Sequence, residues 1–339
     1  MKPIPLIRAS QIKPFSEFLN RLGTPVERLM KQARLPVFAV DEPDTLISYY
    51  SLFKFIEAAA LSEGIQDFGL RVAQESRIDD IGAFGKLLVS SPTLYKALER
   101  TSKMIAAHSS ESRFWLTELE DDVWFCRKGF NRMPLGQVYD EHYTLMFMVN
   151  MVRLAAGPGW WPRKIMLQAR TEIPESMKHE ASTDTVFSLG QDITAFPIPR
   201  PLLALPLQQH PVLDSEITSG DQMHSALDDM PDNFARSLQL ALAPYLREYY
   251  PDIQLAAEVT GLTVRTLQRR LTKRGLTYRE LVDQVRFQAA MPLVEDDSIK
   301  LSDIARNIGY SDGAHFNRAF HRWTGTSPSK YRLQRSSNE

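Results

Sequence analysis

Apolar residues recur at helical spacing through the first 110 positions, and glycines and prolines punctuate the runs. Residues 12–22 form an amphipathic run that stops at Gly23. Thr24-Pro25-Val26-Glu27 reads as a capping box with proline in the first turn, opening a helix that ends before Pro36. Residues 46–61 read as a strongly apolar helix stopped by Gly64, and 67–74 as a shorter one. Ser91-Pro92-Thr93 opens a run to about residue 107, with Leu94, Ala97, Leu98 and Thr101 on one face. The period then changes. Residues 113–119, the acidic Glu120-Asp121-Asp122 and residues 123–127 predict a β-hairpin. A buried helix follows over 139–156, and strands are predicted over 164–169, 185–189, 193–196 and 202–205. Helices first, then a helix set among strands, predict an α+β domain over residues 1–205. Residues 206–231 are polar and weakly periodic, as an interdomain linker is.

From Asp232 the pattern is helical throughout, and it repeats. Asp252 is placed to cap a helix over 253–260. Gly261 turns the chain, and Thr263 caps a second helix over 264–273. Downstream, an apolar helix over 302–308 reaches Gly309, and Ser311 stands at an N-cap position. Phe316, Ala319, Phe320 and Trp323 then recur at i, i+3, i+4, i+7. Gly261 aligns with Gly309, Leu267 with Phe316, Arg269 with Arg318 and Leu271 with Phe320. The repeat of turn glycine, apolar stripe and outward arginine marks a duplicated helix-turn-helix. Between the copies, 278–291 predicts a connecting helix with Leu281, Val282, Val285 and Ala289 on one face, which Pro292 should end or kink. Ser327-Pro328 opens a last short helix. The predicted fold is therefore two-domain: an α+β N-terminal domain, then an all-α, homeodomain-like domain over 232–335 with two helix-turn-helix motifs joined by a helix. Two recognition helices on one DNA face need a separation of about 34 Å, one helical turn, or bent DNA.

Charge sharpens this division. The chain of 339 residues has a formal net charge of -1. From Asp232 onward there are 16 Lys+Arg against 12 Asp+Glu, a net of +4 that leaves -5 for the rest. Residues 263–279 hold six basic residues and no acidic one. A basic end on an acidic remainder points to nucleic-acid contact at that end. The one cysteine, Cys126, excludes an internal disulfide and a cysteine-based zinc site, and fits a reducing cytoplasm. The seven histidines form no HExxH or other metal spacing, so neither metal nor cofactor is expected. The first residues lack the apolar core of a signal peptide. The longest apolar run, 143–160, is broken by Asn150, Arg153 and Gly-Pro-Gly, and reads as buried helix, so no membrane association is expected.

Leu262-Thr-Val-Arg-Thr-Leu-Gln-Arg-Arg-Leu271, Ile304-Ala305, Gly309-Tyr310-Ser311, Phe316-Asn-Arg-Ala-Phe320, Trp323, Gly325 and Ser327-Pro328-Ser329-Lys330-Tyr331-Arg332 together resemble the DNA-binding domain of the AraC/XylS family of bacterial transcription regulators. Ile81-Gly82-Ala83-Phe84-Gly85 and Leu88-Val89-Ser90-Ser91-Pro92-Thr93-Leu94 are similar to the arabinose-binding-type N-terminal domain of one subgroup. The resemblance implies a homodimer whose N-terminal domain senses a small molecule, and whose C-terminal domain binds double-stranded promoter DNA and activates transcription by contacting RNA polymerase. The sequence departs from the pattern at Gly313-Ala314, which leaves few contact-making side chains at the tip of the second recognition helix.

Residue chemistry assigns roles. Arg265, Gln268 and Arg269 suit base edges, arginine for guanine and glutamine for adenine. Ala314, His315 and Arg318 are their counterparts in the second unit. Arg270, Thr272, Lys273, Arg274, His321 and Arg322 are placed for phosphates. In the N-terminal domain, Trp115, Trp124, Phe125, His142, Tyr143 and Phe147 are candidates to line an effector pocket, although aromatic residues at such spacing more often form core. Two other readings stand beside this one. A regulator without an effector would use its N-terminal domain only to dimerise. A fused enzyme, such as a DNA-repair alkyl transferase, needs an activated cysteine, and Cys126 lies inside a predicted strand. No G-x-S-x-G, phosphate loop or paired carboxylates stand out.

Overall fold

The computed structural model describes residues 2–129, 136–208, 226–227, 230–248 and 250–336. Contacts part the chain into two units, Pro5–Met230 and Pro231–Glu339 with Met1–Ile4. Most of the predicted linker, 206–231, lies outside the described residues.

In the first unit, β1 (Leu6–Arg8) leads through a 3₁₀ turn into α1 (Ile12–Leu22). Gly23 is left-handed at the end of α1, and the Thr24 N–H closes that end on the Leu19 carbonyl at 3.0 Å. The Thr24 backbone N–H is thus taken by α1, and its buried hydroxyl has no hydrogen-bond partner among the described residues. The expected capping box is not made, and α2 (Val26–Gln32) starts after Pro25. A second correction concerns residues 46–48. They form β2 (Leu46–Ser48), antiparallel to β1 with Ile7 opposite Ile47, and the helix α3 (Tyr49–Glu63) begins only after the Ser48 side chain caps it. An apolar run buried on all sides hides such a change of conformation. Helices α4 (Phe68–Glu75), α5 (Gly82–Val89) and α6 (Leu94–His108) follow. The last is capped by Thr93, which accepts from the Lys96 N–H.

The hairpin forms as predicted: β3 (Arg113–Leu119) and β4 (Asp122–Lys128) pair antiparallel, with Leu116 opposite Phe125. Helix α7 (Gln137–Ala156) comes next, then β5 (Lys164–Met166), the short α8 (Glu175–Glu180), β6 (Val186–Ser188), β7 (Thr194–Pro199) and α9 (Arg200–Leu203). The strand expected over 202–205 is therefore a turn of helix. Pro199 ends the extended stretch, and Pro201 suits a first helical turn. The five strands order as β3-β4-β7-β5-β6. Strand alternation puts Phe114, Leu116, Phe125 and Phe196 on one face and Trp115, Trp124 and Cys126 on the other. The first face joins the core that α6 and α7 complete. Helix α4 lies directly on α7 because Gly69 has no side chain: a Cβ there would stand 1.9 Å from the Tyr139 carbonyl oxygen. Glu141, buried on α7, accepts from the N–H groups of Gln168 and Ala169 at 2.7 Å each and from the Thr194 hydroxyl, so one carboxylate fixes the chain beyond β5 to β7.

The second unit starts at Asn233, which caps α10 (Phe234–Leu242). Helices α11 (Ile253–Thr260), α12 (Val264–Thr272), α13 (Tyr278–Glu295), α14 (Leu301–Asn307), α15 (Gly313–Thr324) and α16 (Pro328–Ser336) follow. Pro292 neither ends nor replaces the last turn of α13. It is exposed, while Val294 beyond it is buried and its carbonyl receives the Arg332 Nε–H at 2.9 Å. No described helix is long and apolar enough to cross a membrane.

Candidate nucleic-acid interface

The two helix-turn-helix units are built by the same local chemistry. In the first, Asp252 caps α11 through the Leu255 N–H at 2.8 Å, Gly261 turns in the left-handed region, and Thr263 caps α12 through the Thr266 N–H at 3.2 Å. Leu267 and Leu271 are buried. Arg265, Gln268, Arg269, Thr272 and Lys273 are exposed, and α12 carries no acidic residue. The side chains of Arg265, Arg269 and Lys273 make no ion pair or hydrogen bond within the described residues, so their charge is presented outward. Helix α12 thus shows a one-signed face beside a positive helix start, the arrangement that attracts phosphate.

In the second unit, Gly309 (φ +77) makes the turn, and Phe316, Ala319 and Phe320 are buried against Ile304, Ala305 and Ile308. The expected Ser311 cap is displaced by one residue. Asp312 caps α15, accepting from the His315 N–H at 2.7 Å, while its other oxygen meets His315 Nδ1 at 2.5 Å. The His315 backbone N–H, then its side chain, hold the Asp312 carboxyl below the usual carboxylate range. The tip of α15 is therefore acidic where that of α12 is neutral. Ala314, His315, Arg318 and His321 are exposed.

Three of the expected phosphate contacts are engaged inside the domain. Arg270 lies over the Phe234 ring, 5.2 Å from its centroid. Arg274 donates to the Asn233 side chain at 3.2 Å, and Arg322 to Asp283 of α13 at 3.0 Å. Two residues escaped the sequence reading. Asn317 is exposed on α15 at the register position of Gln268, and the repeat itself was the signal for it. Arg286, 8% exposed on α13, donates to the Gly309 carbonyl at 2.6 Å and stacks over Tyr310 and Tyr250 at 4.1 and 4.9 Å. It ties the second turn to the connecting helix. Nothing in its spacing distinguished it from a solvated arginine.

The six residues expected to line an effector pocket are not gathered in one place. Trp115 and Trp124 lie on the sheet face opposite Phe125, and Lys164 stands 5.8 Å from the Trp124 ring. Phe125 packs edge-on to Phe196 in the core. His142 is buried beside Glu141, and burial keeps its pKa below the usual histidine value. Tyr143 and Phe147 do border a cavity, of about 40 Å³, which they share with Gln11, Tyr49, His108 and Ser109. A wider cleft of about 410 Å³ opens elsewhere on this domain, between Arg77, Ile78, Val89, Asn150, Arg153 and Pro158. Its two guanidinium groups are already matched, Arg77 by Asp79 at 2.9 Å and Arg153 by the Trp160 carbonyl at 3.0 Å and Glu180 at 3.3 Å.

Known proteins match both units. A helix-turn-helix domain model matches residues 256–334. The model described as the arabinose-binding domain of AraC transcription regulators, N-terminal, matches residues 23–207. The HTH-type transcriptional regulator VirS of Mycobacterium tuberculosis is 24% identical over 96% of this chain and 96% of its own. The ornithine utilization regulator of Pseudomonas aeruginosa is 23% identical over 96% of both, and VqsM of the same organism 31% identical over 46% of both. With the N-terminal match alone spanning more than half of its length, and a tandem helix-turn-helix behind it, this chain belongs to the AraC family of DNA-binding transcription regulators.

Proposed function

We propose that the protein reads promoter DNA with both recognition helices, and that α12 supplies most of the sequence preference. The observation that carries this is the contrast between the helix faces. Helix α12 presents Arg265, Gln268, Arg269 and Lys273 with no acid among them, whereas α15 starts with Asp312, Gly313 and Ala314. Arg265 and Arg269 reach guanine edges and Gln268 an adenine edge. Helix α15 adds Arg318, Asn317, His315 and the Ala314 methyl. Thr272, Lys273 and His321 hold phosphates. Arg270, Arg274 and Arg322 act first on the domain's own structure and only secondarily on DNA.

The N-terminal domain dimerises the protein and binds a small-molecule effector, in keeping with its family match. Effector binding shifts the populations of DNA-competent and incompetent states. The bound protein then activates transcription through RNA polymerase, in the cytoplasm. No catalytic step enters this reading. Genome-wide mapping of bound DNA in the native host, followed by footprinting on a recovered site, tests it. Two protected major-groove patches on one face, about one turn apart, support the reading. A single patch, or protection of every sequence alike, overturns it.

A further inference from the structure

The core of the first unit holds a polar cluster that DNA binding does not use. The cavity of about 40 Å³ lies among β1 and the 3₁₀ turn after it, α3, α5, α6, α7 and β3. His108, 3% exposed at the end of α6, forms part of its wall. Its ring stacks on Phe84, with centroids 5.3 Å apart and planes at 16°. Its Nε2 faces Gln11 Oε1 at 3.3 Å. An amide oxygen can only accept, so Nε2 carries the proton and Nδ1 is left as a bare acceptor. That Nδ1 has no hydrogen-bond partner among the described residues. An acceptor that is buried and unpaired forfeits the hydrogen bonds it makes with water in the unfolded chain, a reason to expect that something fills the place. The imidazole cannot escape by protonating: burial, then the nearby Arg8, depress its pKa to about 3.

The rest of the wall states what the occupant must be. Tyr49 bonds Ser109 at 2.6 Å and Ser112 at 3.0 Å, which sets three hydroxyls side by side. Asp140 also borders the cavity, but its charge is matched by the buried Arg127 at 2.6 Å. With the histidine neutral and the ion pair closed, the wall offers no net charge to an ionised ligand, and burying one would be costly. Phe84, Ile105 and Phe114 add an apolar side. A water needs about 10–15 Å³ of such space, so the cavity has room for roughly three water-sized groups.

We propose that this cavity is the effector site and that it takes a short, uncharged polyol, one hydroxyl donating to His108 Nδ1 and another meeting the Tyr49–Ser109–Ser112 hydroxyls. This rests on the reading of the protein as effector-responsive. The ligand braces α6 against α3 and the turn that leads into α1.

The test uses the full chain with ethylene glycol, glycerol and erythritol as probes, followed by calorimetric titration and thermal melting. His108→Phe keeps the stack on Phe84 and removes the acceptor. His108→Asn returns an amide oxygen near the Nδ1 position. Saturable binding of at least one probe is expected, weakened tenfold or more in His108→Phe and partly regained in His108→Asn. A non-saturating rise in melting temperature, equal in wild type and His108→Phe, is the general effect of an excluded osmolyte. It means that the cavity holds water only, and it overturns the proposal. Should His108→Phe fail to fold, Ser109→Ala with His108→Asn carries the same comparison. A promoter reporter separates failure of this site from failure of effector control. If another metabolite changes expression equally through wild type and His108→Phe, the protein has an effector but this site is not where it binds. If no probe binds and no metabolite in a broad panel alters expression, the effector reading falls as well.

Discussion

Replacing Arg286 by methionine isolates the contact that joins the second helix-turn-helix to the connecting helix. The side chain is 8% exposed, its guanidinium donates to the Gly309 carbonyl at 2.6 Å, and two tyrosine rings lie within 5 Å. A charge-assisted hydrogen bond of this kind contributes about 1.5–3 kcal/mol. A desolvated cation over an aromatic face adds about 2 kcal/mol, and there are two such faces. Against this, methionine keeps most of the volume and regains about 1 kcal/mol through sulfur–aromatic contact. It also removes the cost of burying a charge, which offsets much of the cation–π gain. The net loss is about 2–4 kcal/mol. Chemical denaturation of the full chain should place that loss in the transition of the second unit. Footprinting should show protection at the α15 half of the site lost before the α12 half, because α11 and α12 do not depend on Gly309. A stability change under about 1 kcal/mol, or equal loss of protection in both halves, would refute the idea that Arg286 sets the second unit.

Three further outcomes follow from named contacts. Gly69→Ala drives a Cβ to 1.9 Å from the Tyr139 carbonyl, so α4 must withdraw from α7; a loss of about 3 kcal/mol is expected by urea denaturation. Asp312→Asn keeps an equally good helix cap but removes the negative charge from the tip of α15; stability should change by less than about 0.5 kcal/mol while DNA affinity at low salt rises, as measured by fluorescence anisotropy. His108 has a folded pKa of about 3, below the unfolded value of about 6.5. Its contribution to stability is therefore full above the unfolded value and is lost as pH falls toward the folded one. From about pH 7.5 to about pH 5.5 this one group should lower the unfolding free energy by about 1.4 kcal/mol, a slope that His108→Phe should abolish.

Local rules carried much of the fold. The repeat of Gly261 and Gly309, the caps at Asp252, Thr263 and Thr93, and the period-two hairpin are signals written within a few residues of where they act. What failed was competition between neighbours. The Thr24 N–H was claimed by the end of α1, which left no donor for the Glu27 half of a capping box. Leu46–Ser48 became a strand because Leu6–Arg8, forty residues away in sequence, supplied its partner. The cap of α15 moved from Ser311 to Asp312, one position along, within the ordinary slack of helix boundaries. The site divides in the same way. Exposure of Arg265, Gln268, Arg269 and Arg318 follows from helical phase alone. The internal engagement of Arg270, Arg274 and Arg322 depends on α10 and α13 passing close by, which no spacing encodes. The effector side was least legible. Aromatic residues spaced along a hairpin alternate between two sheet faces, so Trp115 and Trp124 were bound to part from Phe125. The polar cluster around His108 draws on residues from Gln11 to Tyr143 that only the fold assembles.

Helix α12 reads bases, in this account, and its far end holds phosphates. Affinities of wild type, Arg269→Ala and Lys273→Ala on an operator panel substituted one base pair at a time test it most directly. Arg269→Ala should lose about 1–3 kcal/mol on the native operator and lose discrimination at one base position. Lys273→Ala should weaken every sequence alike and reduce the salt dependence by about one phosphate contact. Equal weakening of all sequences by Arg269→Ala would contradict the account.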